Sequence, residues 1–330
     1  MRTPKRSLKR WTVRLAAAVV PALAWAGLPT ATAGGSDPAT VPCGGFSSPR
    51  GVCLNTSLAV GGTSYNVDWY LPHAPARGLV LVQHGFTRGC GNLRNTSRSI
   101  MEQDLMVLCL NASMAGGNPA LGNALADALA GGAVVPPQGR PLPGAIVVGG
   151  HSAGGHFASV VGARLAALGA PALRGALLFD PVADAGFTDN LTAISGGGAR
   201  PVLAVAARPA LANLYNNAFG ALRSLPNPFV GLQLTWTGYV LGIPYGSSCH
   251  TDVEGENGDL VGNLASGCTP TSTNVARLRE FASVWAADVA TGARTAAYWC
   301  TDARVPSSCG SRVTALTGGS RPTAALIPVA

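Results

Sequence analysis

Charged side chains are scarce in this chain, and lysine is nearly absent. Only 12% of its 330 residues are Asp, Glu, Lys or Arg, and no lysine follows Lys9. A lysine nucleophile or Schiff base is therefore excluded from all but the first residues. No Cys-x-x-Cys spacing occurs, which argues against a thioredoxin-like site or a zinc ribbon. There are five histidines, and no Asp or Glu lies between Asp189 and Asp252. The formal charge of +8 is misleading, because six of the 23 basic residues fall within the first 33 positions, which hold no acid. The remainder carries 17 basic and 15 acidic residues, about +2 net. That balance leaves no basic stripe for nucleic acid, so no nucleic-acid partner is expected.

The N-terminus reads as a targeting segment. Lys5, Arg6, Lys9, Arg10 and Arg14 precede an apolar stretch from Leu15 to Leu28 that Pro21 interrupts. Two small-x-small sites follow, Ala24-Trp25-Ala26 and Ala31-Thr32-Ala33. Residues 1–33 are expected to be a secretory signal peptide cut after Ala33, the apolar run being short for a membrane span. The mature protein is then secreted, extracellular or periplasmic, with no membrane span. All eight cysteines lie beyond residue 33, an even number suited to up to four disulfides in an oxidising compartment. Sequential pairing (43–53, 90–109, 249–268, 300–309) is expected, because each pair closes a short loop. The rest is long enough for a single large domain over 34–310. Residues 311–330, rich in Gly, Pro and Thr, are expected to be a poorly ordered tail.

Strand and helix patterns alternate along that domain. Ser57–Val60 and Tyr65–Tyr70 flank a Gly61-Gly62 turn. Gly78–Gln83 is a continuous apolar run, as in a strand buried on both faces. A polar helix over Asn92–Gln103, a strand over Leu105–Leu110, a helix near 120–130 and a strand over 145–149 follow. A helix from about Gly154 to Leu168 stops at Gly169 and Pro171. Further strands are expected at Gly175–Phe179, Pro201–Ala207 and Phe229–Trp236. The last helix is capped by Ser272 or Thr273 and ended by Gly292, with Val275, Leu278, Phe281, Ala282, Trp285 and Val289 as its core stripe. Such alternation predicts a doubly wound, mostly parallel sheet flanked by helices.

One stretch carries chemistry. Ala145–Gly149 reads as a buried strand running into Gly150-His151-Ser152-Ala153-Gly154 and then into a helix. This is the G-x-S-x-G nucleophile elbow in the strand–turn–helix setting it requires, with Ser152 as nucleophile. In a chain with 43 glycines the five-residue pattern alone is weak, and its setting is what makes it informative.

A serine nucleophile needs a base and an acid to orient that base. His151 adjoins the serine and is expected to point away, His156 sits one turn along the elbow helix, His84 ends a strand, and His73 precedes one. His250 alone lies well downstream in a loop after a strand, where the order Ser…Asp…His places the base. The empty acid interval denies the 201–207 strand a triad acid, leaving Asp180, Asp184 and Asp189. Asp180, at the carboxyl end of Ala176–Phe179, is favoured, because open α/β sheets gather their sites there, with Asp184 the alternative. Pro181 is expected to hold Asp180 extended. The oxyanion donors are expected to be the N–H groups of Ala153 and Phe86. Asp252, Glu254, Glu256 and Asp259 invite a calcium reading, but Asn257 stands where an EF-hand needs glycine, so a solvated acidic loop is expected.

From about residue 57 to 290 the chain resembles the α/β-hydrolase superfamily. Gly150–Gly155, His84-Gly85-Phe86 and Phe179-Asp180-Pro181-Val182 look like the chlorophyllase and secreted lipase or polyester-hydrolase (cutinase-like) relatives. Ala153 replaces the arginine typical of the chlorophyllase elbow, and the acid of polyester hydrolases after the 201–207 strand is missing. The resemblance implies an α/β-hydrolase fold. It also implies a carboxylic ester hydrolase working through Ser152, Asp180 and His250 by way of an acyl-enzyme, without metal or organic cofactor. Apolar residues between Arg208 and Tyr245 are expected to help form a pocket for hydrophobic acyl or alcohol groups, in a small-molecule, lipid or polymer ester. A monomer is expected. A serine peptidase or amidase on the same fold, and a non-catalytic binding module, are the alternatives.

Overall fold

The structure is a computed structural model that describes residues 40–256 and 258–329. The expected signal peptide lies outside the described residues. In chain order the strands are β1 (Val41–Pro42), β2 (Gly51–Val60), β3 (Thr63–Pro72), β4 (Leu79–Gln83), β5 (Met106–Leu110) and β6 (Ile146–His151). There follow β7 (Leu173–Phe179), β8 (Val202–Ala206), β9 (Gly231–Leu234), β10 (Trp236–Val240), β11 (Ile243–Ser247) and β12 (Ala324–Leu326). The helices are α1 (Arg94–Met101), α2 (Pro119–Ala130), α3 (Ala153–Ala167), α4 (Phe187–Ser195), α5 (Phe219–Arg223), α6 (Leu260–Ser266), α7 (Ser272–Thr291) and α8 (Ser311–Thr317).

One ten-stranded sheet runs in the order β1-β2-β3-β5-β4-β6-β7-β8-β9-β12. Its middle, β5-β4-β6-β7-β8-β9, is parallel, and antiparallel strands finish both edges. The central strands are buried on both faces, so they read as unbroken apolar runs. Their side chains nevertheless divide by the two-residue period of a strand. Leu79 and Leu81 enter one core with α2, α3, α4 and α5, while Val80 and Val82 enter the other with α1, α7 and α8. Ala176 and Leu178 of β7 join the first core, and Leu177 and Phe179 the second.

All four disulfides join sequential cysteines, Cys43–Cys53, Cys90–Cys109, Cys249–Cys268 and Cys300–Cys309. The C-terminal segment differs from the expected loose tail. Val313, Leu316 and Ile327 are buried, and β12 pairs antiparallel with β9. A composition rich in Gly, Pro and Thr is outweighed there by three apolar anchors and a free sheet edge to close. The region after β9 also differs from expectation. The strand ends at Leu234, and Trp236 opens a separate β10–β11 hairpin.

Candidate active site

Residues at the carboxyl ends of β4 and β6 line one cavity, and Asp180, at the end of β7, reaches it through His250. β6 runs into Ser152, whose backbone takes φ +56°, ψ −126°, and α3 starts at the next residue. This region is costly for any residue with a Cβ, by about 1–3 kcal/mol, and persists only when its surroundings impose it. Here they do. Ser152 N donates to Phe179 O at 3.0 Å, while Ser152 O accepts from Gly155 N at 2.9 Å and Val182 N at 3.2 Å. Glycine is required beside it, because a Cβ on Gly150 would strike the Gly154 carbonyl and one on Gly154 the carbonyls of Gln83 and His84. The strand–turn–helix backbone is as the sequence predicts.

Asp180 and His250 meet. His250 Nδ1 lies 2.6 Å from Asp180 Oδ2, and both residues are buried. Asp180 Oδ1 also accepts from Ala207 N at 3.0 Å, and Oδ2 from Asn213 Nδ2 at 3.0 Å. An ionised carboxylate only accepts, so the proton of a neutral His250 belongs on Nδ1 and Nε2 is left free to take another. Ser152 and His250 both line the cavity. Asp180 is not extended, as Pro181 had suggested, but has φ +43°. Its N–H bond to Val205 O at 2.8 Å, with the bonds to its carboxylate, outweighs the local preference. The alternative acid, Asp184, is exposed and its Oδ1 accepts from Ala185 N; Asp189 is exposed on α4. Neither is brought to His250.

Three residues at the site were not anticipated as partners. His151 does not point away: its ring centroid is 4.4 Å from that of His250, and its Nε2 lies 3.1 Å from the His250 carbonyl. A carbonyl only accepts, so Nε2 carries a proton, while Nδ1 lies 3.5 Å from Glu254 Oε1. Burial pushes the His151 pKa well below its usual value, aided by neighbouring His250. Glu254 is itself buried and is held by Arg88, from Nε at 2.6 Å and Nη2 at 2.7 Å. Burial raises the Glu254 pKa, and the guanidinium offsets part of that.

The acidic loop is thus only partly solvated: Asp252 and Glu254 are buried, while Glu256 and Asp259 are half-buried. Asp252 accepts from Cys249 N at 2.7 Å, Thr271 N at 2.5 Å and Asn274 Nδ2 at 3.2 Å. Glu256 accepts from Asn95. Asp259 caps α6 through Gly262 N at 2.8 Å and takes two bonds from Arg88, which hold its pKa down to about 2. Each acid has an internal donor, and for Asp252 and Glu254 this is what makes burial tolerable. Elsewhere Cys43, Cys53 and Asp68 lie close enough to share an ion, but the two sulfurs are bonded to each other.

Two main-chain donors border Ser152. Ala153 opens α3, and the first N–H groups of a helix have no partner within it. Gly85, next to Phe86, packs so closely on the elbow that a Cβ there would come within 2.9 Å of the Ser152 Cβ. The cavity measures about 220 Å³, and Phe86, Arg88, His151, Ala212, Thr251, Glu254, Val261 and Gly262 are among its walls. Its apolar surface does not come from the 208–245 segment as expected, which supplies only Ala212. Leu222, Leu225 and Phe229 are core, Leu211, Tyr215 and Leu241 face solvent, and Trp236 stacks under Arg208 at 4.1 Å. Phe86 and Val261 take their place.

A family model described as the alpha/beta hydrolase fold matches residues 126–239, which hold the elbow, the Asp180 strand and β8. The fold is that of the α/β hydrolases. No curated protein sequence matches the chain at a significant level. Among solved structures, a dienelactone hydrolase from Anabaena variabilis is 16% identical, with 72% of this chain and 97% of that one covered and a TM-score of 0.48. Carboxyl esterase 2 from Tuber melanosporum is 15% identical over 73% and 88% of the two chains, with a TM-score of 0.46. An S-formylglutathione hydrolase from Agrobacterium tumefaciens is 16% identical over 57% and 87%, with a TM-score of 0.43. Likenesses this distant carry nothing about activity.

Proposed function

We propose that the chain is a secreted serine hydrolase of carboxylic esters. The observation that carries this reading is the 2.6 Å contact of His250 Nδ1 with Asp180 Oδ2, on the cavity that also holds the strained Ser152. His250 Nε2 takes the Ser152 hydroxyl proton as Oγ attacks the ester carbonyl. Asp180 fixes the tautomer and stabilises the imidazolium that forms. The N–H groups of Phe86 and Ala153 receive the oxyanion, the role in which one donor is worth about 10²–10³ in rate. His250 returns its proton to the leaving alcohol. Water then repeats the sequence on the acyl-enzyme and frees the acid. Every step uses side chains and main-chain N–H groups of this protein. Four disulfides support an oxidising destination. The apolar walls support a small hydrophobic ester, or an ester end of a lipid or polymer, as substrate.

The test is hydrolysis of p-nitrophenyl butyrate by the purified, oxidised protein beside Ser152→Ala. The variant is expected to lose about 10⁴–10⁶ in kcat, as in loss of a triad nucleophile. Equal silence of both folded proteins would refute ester hydrolysis and turn attention to amides or to binding without catalysis.

A further inference from the structure

The segment bearing one oxyanion donor and the segment bearing the base are tied by side chains of Arg88, Asn92, Asn95 and Thr96, which reach Glu254, Glu256 and Asp259, and Arg88 is the tie nearest Phe86 in the chain. Arg88 stands two residues after Phe86, and its own N–H turns back to the Gly85 carbonyl at 3.3 Å. Its guanidinium, only 10% exposed, grips both Glu254 oxygens at 2.6 and 2.7 Å. Glu254 ends the 3₁₀ turn that His250 begins. The same guanidinium holds Asp259 at 2.5 and 3.1 Å. Asp259 caps α6, whose Val261 and Gly262 form the facing wall of the cavity. Glu254 also lies against His151, which reaches the His250 carbonyl.

We propose that Arg88 is a positioning residue for catalysis, holding the Phe86 N–H, His250 and the α6 wall in one geometry; this rests on the ester-hydrolase reading of the site. Its planar fork is what the role needs. A guanidinium can serve two carboxylates in fixed directions at once, whereas an ammonium offers one point charge. Releasing it lets the oxyanion loop shift against the base, because the remaining ties, from Asn92, Asn95 and Thr96, start six to ten residues beyond Phe86. A misplacement of about 1 Å is enough to cost about 10² in rate.

The experiment compares wild type, Arg88→Lys, Arg88→Gln, Glu254→Gln and the Arg88→Gln/Glu254→Gln pair. For each it measures kcat and KM on p-nitrophenyl butyrate per folded site, folding being checked by circular dichroism and thermal melting. A second readout is the rate at which a p-nitrophenyl phosphonate modifies Ser152. The expected result is a fall of about 10²-fold or more in kcat for every variant, Lys included, with KM within about threefold. Phosphonylation slows in parallel, and the double variant is no worse than Arg88→Gln, as for groups acting as one unit. A folded Arg88→Lys with kcat within threefold of wild type would overturn the proposal. So would losses that merely track the folded fraction, or single effects that multiply in the pair. Wild type inert toward both reagents, and indistinguishable from Ser152→Ala, would instead overturn the hydrolase reading and this proposal with it.

Discussion

Asp180 and His250 stand 70 residues apart in the chain and 2.6 Å apart in space, joined through Oδ2 and Nδ1. The other Asp180 oxygen is occupied by the Ala207 N–H, so the carboxylate has little freedom to turn away from the histidine. Asp180→Asn keeps the shape but presents an amide. Its NH₂ favours the wrong histidine tautomer, and kcat on p-nitrophenyl butyrate is expected to fall by about 10³–10⁴. Asp184→Asn, on the exposed alternative, is expected to stay within about twofold of wild type. Equal effects of the two substitutions would remove Asp180 from its role.

Burial of neutral histidine makes stability depend on pH. Desolvation lowers the pKa of His84 and, more strongly, that of His151. The unfolded chain therefore takes up protons near pH 6.5 while these two folded side chains resist. Stability is complete above about pH 6.5 and is lost as pH falls from there toward the folded values, by about 1.4 kcal/mol per pH unit for each histidine. Carboxylates raised by burial, such as Glu254, act with the opposite sign. The measurement is therefore a difference: urea unfolding of wild type against His151→Gln between pH 5 and 7. The slope of the variant is expected to be shallower by about 1 kcal/mol per unit averaged over that range, approaching about 1.4 at its acid end. Identical slopes would mean that His151 takes up its proton in the folded protein as readily as in the unfolded chain.

The elbow was legible in the sequence because two independent periodic signals meet there, a continuous apolar run and a glycine-spaced turn leading into a helix. Asp180 and His250 were legible by scarcity: a chain with five histidines and an acid-free interval of 62 residues leaves few choices. What sequence reasoning missed was pairing across distance. Arg88 meets Glu254 and Asp259 from 166 and 171 positions away, and no local pattern announces such a contact. The acids at 252–259 carry the composition of a solvated loop, and only distant donors allow two of them, Asp252 and Glu254, to be buried. The left-handed backbone of Asp180 had the same origin, with a hydrogen bond to β8 overriding the proline rule. β12, three residues long, is too short for any period to reveal and exists through its pairing with β9.

If the cavity takes the acyl group, its size predicts a chain-length preference. At about 220 Å³, walled by Phe86 and Val261, it should reward added methylenes until it is filled, at up to about tenfold each. Activity is expected to rise from acetyl to butyryl p-nitrophenyl esters. Val261→Phe is expected to depress octanoyl turnover by tenfold or more, with acetyl turnover within about twofold. Activity confined to acetyl in wild type would contradict a hydrophobic pocket, and a Val261→Phe profile parallel to wild type would place the acyl chain elsewhere.

The Cys249–Cys268 bridge closes a loop that contains both His250 and α6, so it restrains the base and one wall of the cavity together. Closure over 19 positions is worth about 3 kcal/mol when the unfolded chain is the main thing constrained. For a domain of this size that is about 6 °C in Tm. Replacing both cysteines by serine is expected to lower Tm by that amount in a calorimetric scan. The Arg88 contacts with Glu254 and Asp259 remain in the variant, so the loop keeps a second restraint independent of the bridge. Activity at 25 °C is accordingly expected to fall less than tenfold while heat inactivation becomes much faster. A loss at 25 °C as large as that of Asp180→Asn would show that the disulfide, rather than Arg88, holds His250 in place.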